Sequence, residues 1–268
     1  MKVAILSDIH ANLEALQSVL ADAAQLQVSH YVGLGDVIGF NGDPAACVEQ
    51  VSQLFSASVR GNHEQALLQR GLFGVPLYTA MMDRTAAMLG TELVAYVRPL
   101  PRKMTWHGIT MVHDSPVAGD EWHRIATVPE ARAAFAAFSG RICFFGHTHR
   151  PTIFCESEGK ISIIPVVYDA EGTFTLPLEQ DCRYLINPGS VGQPRDLDYR
   201  AAYGLYEEET DTLTLRRVDY DVETAASKIS RTGLPESFAA DLKRGHTPTG
   251  ARRNAPACHY RPIRRSTQ

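Results

Sequence analysis

Val3-Ala4-Ile5-Leu6-Ser7-Asp8-Ile9-His10 is the stretch on which the reading of the fold turns: a short apolar run ending in a carboxylate and an imidazole. Such a run, bounded by polar residues, reads as a buried strand. The signature recurs along the chain. Tyr31–Leu34 leads into Gly35-Asp36, and Ser58–Val59 into Gly61-Asn62-His63-Glu64. Ile109–Val112 leads into His113, and Ile142–Phe145 into Gly146-His147-Thr148-His149. Open α/β sheets hold their sites in loops at the carboxyl ends of strands. Five such ends, all offering Asp, His or Asn, point to a binuclear metal centre.

Side chains alternate across a strand, so residues i and i+2 point the same way. Asp8 with His10, and His147 with His149, are therefore expected to present paired ligands. Glycine directly before the ligand groups (Gly35, Gly61, Gly146) allows close backbone approach. Carboxylate, imidazole and amide oxygen without thiolate suit divalent Mn, Fe, Zn, Ni or Co rather than a structural Cys-type zinc site.

These blocks resemble the calcineurin-like metallophosphoesterases. The family pattern is D-x-H, G-D, G-N-H-[DE], a lone H, then G-H-x-H, and all five blocks stand here in that order. Ser7-Asp8-Ile9-His10-Ala11-Asn12 and Asn187-Pro188-Gly189-Ser190 are similar to the small bacterial and archaeal phosphodiesterases and phosphatases. One departure is Asp114, where many relatives have Gly; it adds a carboxylate near the metals. The resemblance implies a four-layer α-β-β-α sandwich of two mixed sheets, with a dinuclear site at strand carboxyl ends. It implies that Asp8, His10 and His149 bind one metal, that Asn62, His113 and His147 bind the other, and that Asp36 bridges them. Two ions about 4 Å apart can hold a bridging hydroxide for in-line attack at phosphorus.

His63 directly follows a ligand and is expected to act as general acid or transition-state stabiliser, as an imidazolium donating to the leaving oxygen. Glu64 resembles the acid that orients this His in the family; it is equally suited to complement a helix N-terminus. Arg60 stands where some family phosphatases contact phosphate, against the plainer reading of a surface cation. Asn12 contacts phosphate or, the favoured reading, caps the following helix. Asn187–Ser190 reads as a structural turn, and Trp122-His123 as a weak candidate for the cleft wall.

The chain has 268 residues, 44% of them apolar, enough for a full core. A net charge of −4 gives no basic field for nucleic acid, beyond a small nucleotide as substrate. No stretch suits a signal peptide or a membrane helix. Five scattered cysteines without a CxxC suit a reducing cytoplasm. Helical patterns are expected over Asn12–Ala24, Pro44–Leu54, Gln65–Val97, Pro129–Phe138, Val222–Ile229 and Pro235–Lys243. The helical insertion at about 65–100 is placed to form a substrate-selecting rim, with Met81, Met82 and Met88 in its core or wall. After Arg150 the pattern turns to β and is expected to supply a second sheet. Residues 1–245 are read as the catalytic domain and 246–268 as a basic tail. The expected activity is a metal-dependent phosphoesterase acting on a mono- or diester. Diadenosine-tetraphosphate hydrolase and Ser/Thr protein phosphatase are alternatives within the class, and a binding scaffold of the same fold is the alternative outside it. A homo-oligomer stays open.

Overall fold

The computed structural model describes residues 1–248. In one sheet β1 (Lys2–Leu6), β2 (His30–Gly33) and β3 (Phe55–Ser58) run parallel. β1 also pairs antiparallel with β11 (Ala201–Glu207), which continues to β12 (Thr212–Val218) and β9 (Thr173–Pro177). The other sheet orders β4 (Lys103–Trp106), β5 (Ile109–Val112), β6 (Ile142–Phe144), β10 (Arg183–Asn187), β7 (Thr152–Ser157) and β8 (Lys160–Ile164). Within it β5, β6 and β10 are parallel. Each sheet thus has a parallel block, and those blocks carry the metal-type loops.

Period-2 alternation sorts β1 between two cores. Val3 and Ile5 face the layer between the sheets, where they join Ile109, Met111, Phe144, Ile186 and Leu215. Ala4 and Leu6 face helices α1 (Leu13–Gln25), α2 (Pro44–Leu54), α4 (Pro76–Val97), α6 (Val222–Ser230) and α7 (Glu236–Leu242). On the far side Val112, Cys143, Phe145 and Leu185 pack on α5 (Val128–Ala136) through Ala131, Ala134 and Phe135. The layers are α-β-β-α, as expected.

Asn12 caps α1, its Oδ1 accepting the Ala15 N–H at 3.1 Å. The stretch expected as one helix over Gln65–Val97 is two. α3 (Asn62–Leu68) ends before a turn, Pro76 opens α4, and Gly90 (φ 67°, ψ −178°) interrupts it. Met81 and Met82 are buried and Met88 is exposed. The strands after Arg150 do not form a sheet of their own: β7, β8 and β10 join one sheet, β9, β11 and β12 the other. Alternation reports which faces are buried, not which neighbour a strand takes. β4 lacked a clear pattern and was not anticipated. Of the expected tail, His246 donates its N–H to Asp241 O at 2.8 Å. From residue 249 on, that expectation lies outside the described residues. Among the described residues, no helix is long and apolar enough to cross a membrane.

Phe144 is fully buried between the sheets on the strand that feeds the Gly146 loop. Phe144→Ala should destabilise by about 3–5 kcal/mol in denaturant unfolding, the cost of an unfilled aromatic site. A loss below about 1 kcal/mol would mean that the sheets repack across it.

Candidate metal centre

The five loops meet because their backbones are stitched together. Asp8 N–H donates to Gly35 O (3.1 Å), His10 N–H to Asp36 O (2.9 Å) and Gly146 N–H to His113 O (2.7 Å). Space, rather than turn conformation, requires Gly61: its φ is −90°, and a Cβ there would lie 2.1 Å from Asp36 Oδ1. At Gly146 a Cβ would meet Ser7 Oγ at 1.9 Å.

The pairs expected as ligands do converge, but not through strand pleat. β1 ends at Leu6 and β6 at Phe144, before either pair. Asp8 (φ 53°), His10 (48°), Asp36 (53°), His147 (65°) and His149 (58°) instead occupy the left-handed region. Such positions typically cost about 1–3 kcal/mol each and persist where the surroundings impose them.

Three overlapping groups of donors result, Asp8/His10/His149, His10/Asp36/His63 and Asp36/His113/His147, all buried; the first and last are the sets expected as ligands. His149 Nε2 lies 3.0 Å from Asp8 Oδ1 and 3.1 Å from His10 Nε2. Two ligands each about 2.1 Å from one ion stand about that far apart. Asp36 Oδ1 accepts the His63 N–H at 2.8 Å, leaving Oδ2 to face both groups: 3.7 Å from His10 Nε2 and 3.3 Å from His113 Nε2. Asn62 Oδ1 is 3.0 Å from His113 Nε2.

Tautomers are set from behind. His10 Nδ1 faces Ile38 O (3.0 Å), His113 Nδ1 faces Leu34 O (2.8 Å) and His149 Nδ1 faces Gln193 O (2.6 Å). A carbonyl only accepts, so each Nδ1 carries a proton and the Nε2 atoms of the neutral rings turn lone pairs inward. Asp8 Oδ1, whose near neighbour is His149 Nε2, and His147 Nε2 are buried and make no hydrogen bond. These are features of a cation site, and donors without thiolate fit divalent transition ions.

Burial alone would raise Asp8 and Asp36, but His149 beside the first and His113 beside the second hold both well below the ordinary carboxylate range. Burial pulls His10, His147 and His149 down. It also works against charge on His113, which Asp36, with Asp8 and Asp114, nevertheless pushes up to about 10. A cation taken up there displaces that proton, so metal affinity falls as pH falls.

Glu64 is fully buried and does not orient His63. Its Oε2 accepts N–H bonds from Asp36 and Gly61 (both 2.8 Å), its Oε1 from Val37 (2.8 Å) and Ile38 (3.3 Å), while His63 Nδ1 has no partner. Burial and the Asp36 charge push its carboxyl up to about 7, against the pull of the Gly61 and Asp36 N–H groups. With both oxygens taken by donors, the ionised form is the one this loop accommodates. Glu64 thus shapes the Asp36 loop and caps α3. Burial, partly offset by Asp36, also holds His63 down at about 4, which corrects the expectation of a resident imidazolium.

Asn187 Nδ2 donates to Gly146 O (2.7 Å), and Ser190 Oγ to Asp8 O (2.8 Å), so that turn braces the metal loops. Asp114 accepts the His123 N–H at 2.8 Å and lies 3.7 Å from Arg102, whose guanidinium covers Trp122 at 4.0 Å. Trp122 in turn packs edge-on to His113 at 5.9 Å. Asn12 is committed to its cap, with Nδ2 donating to Gly192 O at 3.1 Å. Arg60 donates its backbone N–H to Pro101 O at 2.7 Å, and its side-chain Nε is buried with no hydrogen-bond partner. The guanidinium whose charge reaches His10, His63 and His149 is that of Arg195. Gln193 and Arg195 went unread in the sequence. Their one signal was Gln193-Pro194-Arg195-Asp196 following the Asn187–Ser190 turn, at the end of a sixth strand.

A two-sheet sandwich with paired Asp/His groups at its strand ends has the architecture of a metallophosphoesterase. The calcineurin-like phosphoesterase superfamily domain matches residues 1–211, and the chain belongs to that superfamily. A metallophosphoesterase from Sphaerobacter thermophilus superposes with TM-score 0.82 at 36% identity, over 91% of this chain and 99% of that one. The uncharacterized protein MJ0912 of Methanocaldococcus jannaschii is 32% identical over 240 residues, covering 87% of this chain and 94% of its own. Hypothetical protein PH1004 from Pyrococcus horikoshii shares the fold, with TM-score 0.69 at 20% identity, over 92% of this chain and 99% of that one.

Glu64→Gln replaces an oxygen acceptor with an NH2 group that cannot accept. The expected loss is about 1.5–3 kcal/mol in denaturant unfolding, the scale of hydrogen bonds to a charged group. Unchanged stability with a fall in activity alone would return Glu64 to a role on His63.

Proposed function

We propose that this protein is a metal-dependent phosphoesterase that hydrolyses a phosphomono- or phosphodiester at a site holding two divalent transition-metal ions. The observation that carries the reading is the pair of inward-facing donor groups sharing Asp36 Oδ2. Asp8, His10 and His149 would hold one ion, Asn62, His113 and His147 the other, and Asp36 both. When bound, such ions supply a hydroxide nucleophile at neutral pH and offset charge on phosphoryl oxygens.

The chain's own groups do the rest. Carbonyls of Ile38, Leu34 and Gln193 hold the imidazoles in one tautomer. Neutral His63 keeps an N–H to donate to the leaving-group oxygen and so stabilises charge there. Its ring is wedged edge-on against His10 and Phe40, both at 4.7 Å, with Phe73 at 5.4 Å. Gly39 makes room: a Cβ there would lie 2.2 Å from His63 Nδ1. Phe73 and Tyr78, from the turn before α4 and its first helical turn, close this side and support the rim role.

Plasma mass spectrometry should find two transition-metal ions per chain, and Asp36→Asn should lose metal and activity together. One ion at full activity would exclude the two-ion site. Turnover of bis-p-nitrophenyl phosphate, p-nitrophenyl phosphate and diadenosine tetraphosphate, with each metal added to the apoprotein, ranks the substrate classes.

His63→Ala should keep both metals and slow hydrolysis by about 10²–10⁴-fold, the range of acid–base groups. The loss should be smallest for p-nitrophenyl esters and grow as the leaving group worsens. An equal loss for every ester would make His63 a structural residue.

A further inference from the structure

The loop after β10 delivers a guanidinium to the centre with an open donor. Arg195 is half-buried, and its backbone N–H donates to His149 O at 3.2 Å, so its position follows that of a ligand loop. Its Cζ lies 5.7 Å from the centre of the Phe40 ring, which itself packs on His63. Its Nε is buried with no hydrogen-bond partner. Burial and the Arg124 charge work against its cation, while Asp8, Tyr78 and Asp36 favour it.

Two carboxylates do not neutralise two divalent ions, and a guanidinium beside them adds like charge. A partly desolvated cation with an unsatisfied donor is costly unless an anion faces it. A guanidinium presents a fork of N–H groups that matches phosphate oxygens two at a time.

We propose that Arg195 binds the non-bridging oxygens of the substrate's reacting phosphate. The side chain fits a phosphoester that keeps free anionic oxygens on the Phe40–His63 side. The assignment rests on the metal-dependent phosphoesterase reading.

The test titrates inorganic phosphate calorimetrically into manganese-loaded wild type, Arg195→Gln and Arg195→Lys, with metal content measured on each. Arg195→Gln should retain both ions and bind phosphate about 10- to 150-fold more weakly, the range of one charge-assisted hydrogen bond. Arg195→Lys should recover part of that affinity, since it restores charge without the fork. Phosphate affinity unchanged in Arg195→Gln overturns the proposal, and so does loss of metal, which would make Arg195 a brace for the His149 loop. Failure of the underlying reading registers separately, in wild-type protein that takes up no metal or turns over no ester, and the assignment falls with it.

Discussion

The centre depends on backbone carbonyls placed behind imidazoles. Ile38, Leu34 and Gln193 each accept from the Nδ1 of a different histidine, and that choice of proton leaves Nε2 lone pairs facing one another at 3.1 Å. Two neutral lone pairs do not attract each other, and the arrangement is one that a cation between them would satisfy. The chain holds it because the loops are fixed on two sides, by strand pairing below and by bonds between loops above. Residues in left-handed conformation at five of the seven expected ligands belong to the same imposed geometry.

A second constraint acts through Glu64. One carboxylate gathers the N–H groups of Asp36, Val37, Ile38 and Gly61, so the carboxylate expected to bridge and the carbonyl behind His10 belong to one hydrogen-bonded unit. Gly61 lets that unit close, since any side chain there would occupy the place of Asp36 Oδ1. The resulting rigidity matches what electrostatic catalysis demands, namely donors and charges that need not reorganise during reaction.

Much of this was legible in the sequence. Apolar runs located β1, β2, β5 and β6 within a residue or so, and the residues after them proved to be the ones that converge. Residue types and order survive because chemistry fixes them, whereas backbone conformation is written only indirectly. The left-handed turns at Asp8 and His10 could not be distinguished from strand pleat, since both project i and i+2 to one side. Glu64 was legible as an acid near His63 but not as the acceptor for the Asp36 loop, because Asp36, Val37 and Ile38 lie 26 to 28 residues back in the chain. Arg195 was silent for a related reason: its importance comes from a loop crossing between sheets, and no local pattern reports a crossing.

That crossing has a consequence for how the molecule comes into being. Every expected ligand lies within the first 149 residues, yet β1 closes its sheet only against β11, and His149 takes its tautomer from Gln193. A nascent chain that has emerged through Gly146-His147-Thr148-His149 therefore holds all the expected ligands without the geometry. Long-range pairings of this kind close late, because the entropy of the intervening loop must be lost before contacts repay it. On the proposed function, a metal ion would meet the finished site only once the strands from β10 to β12 have docked.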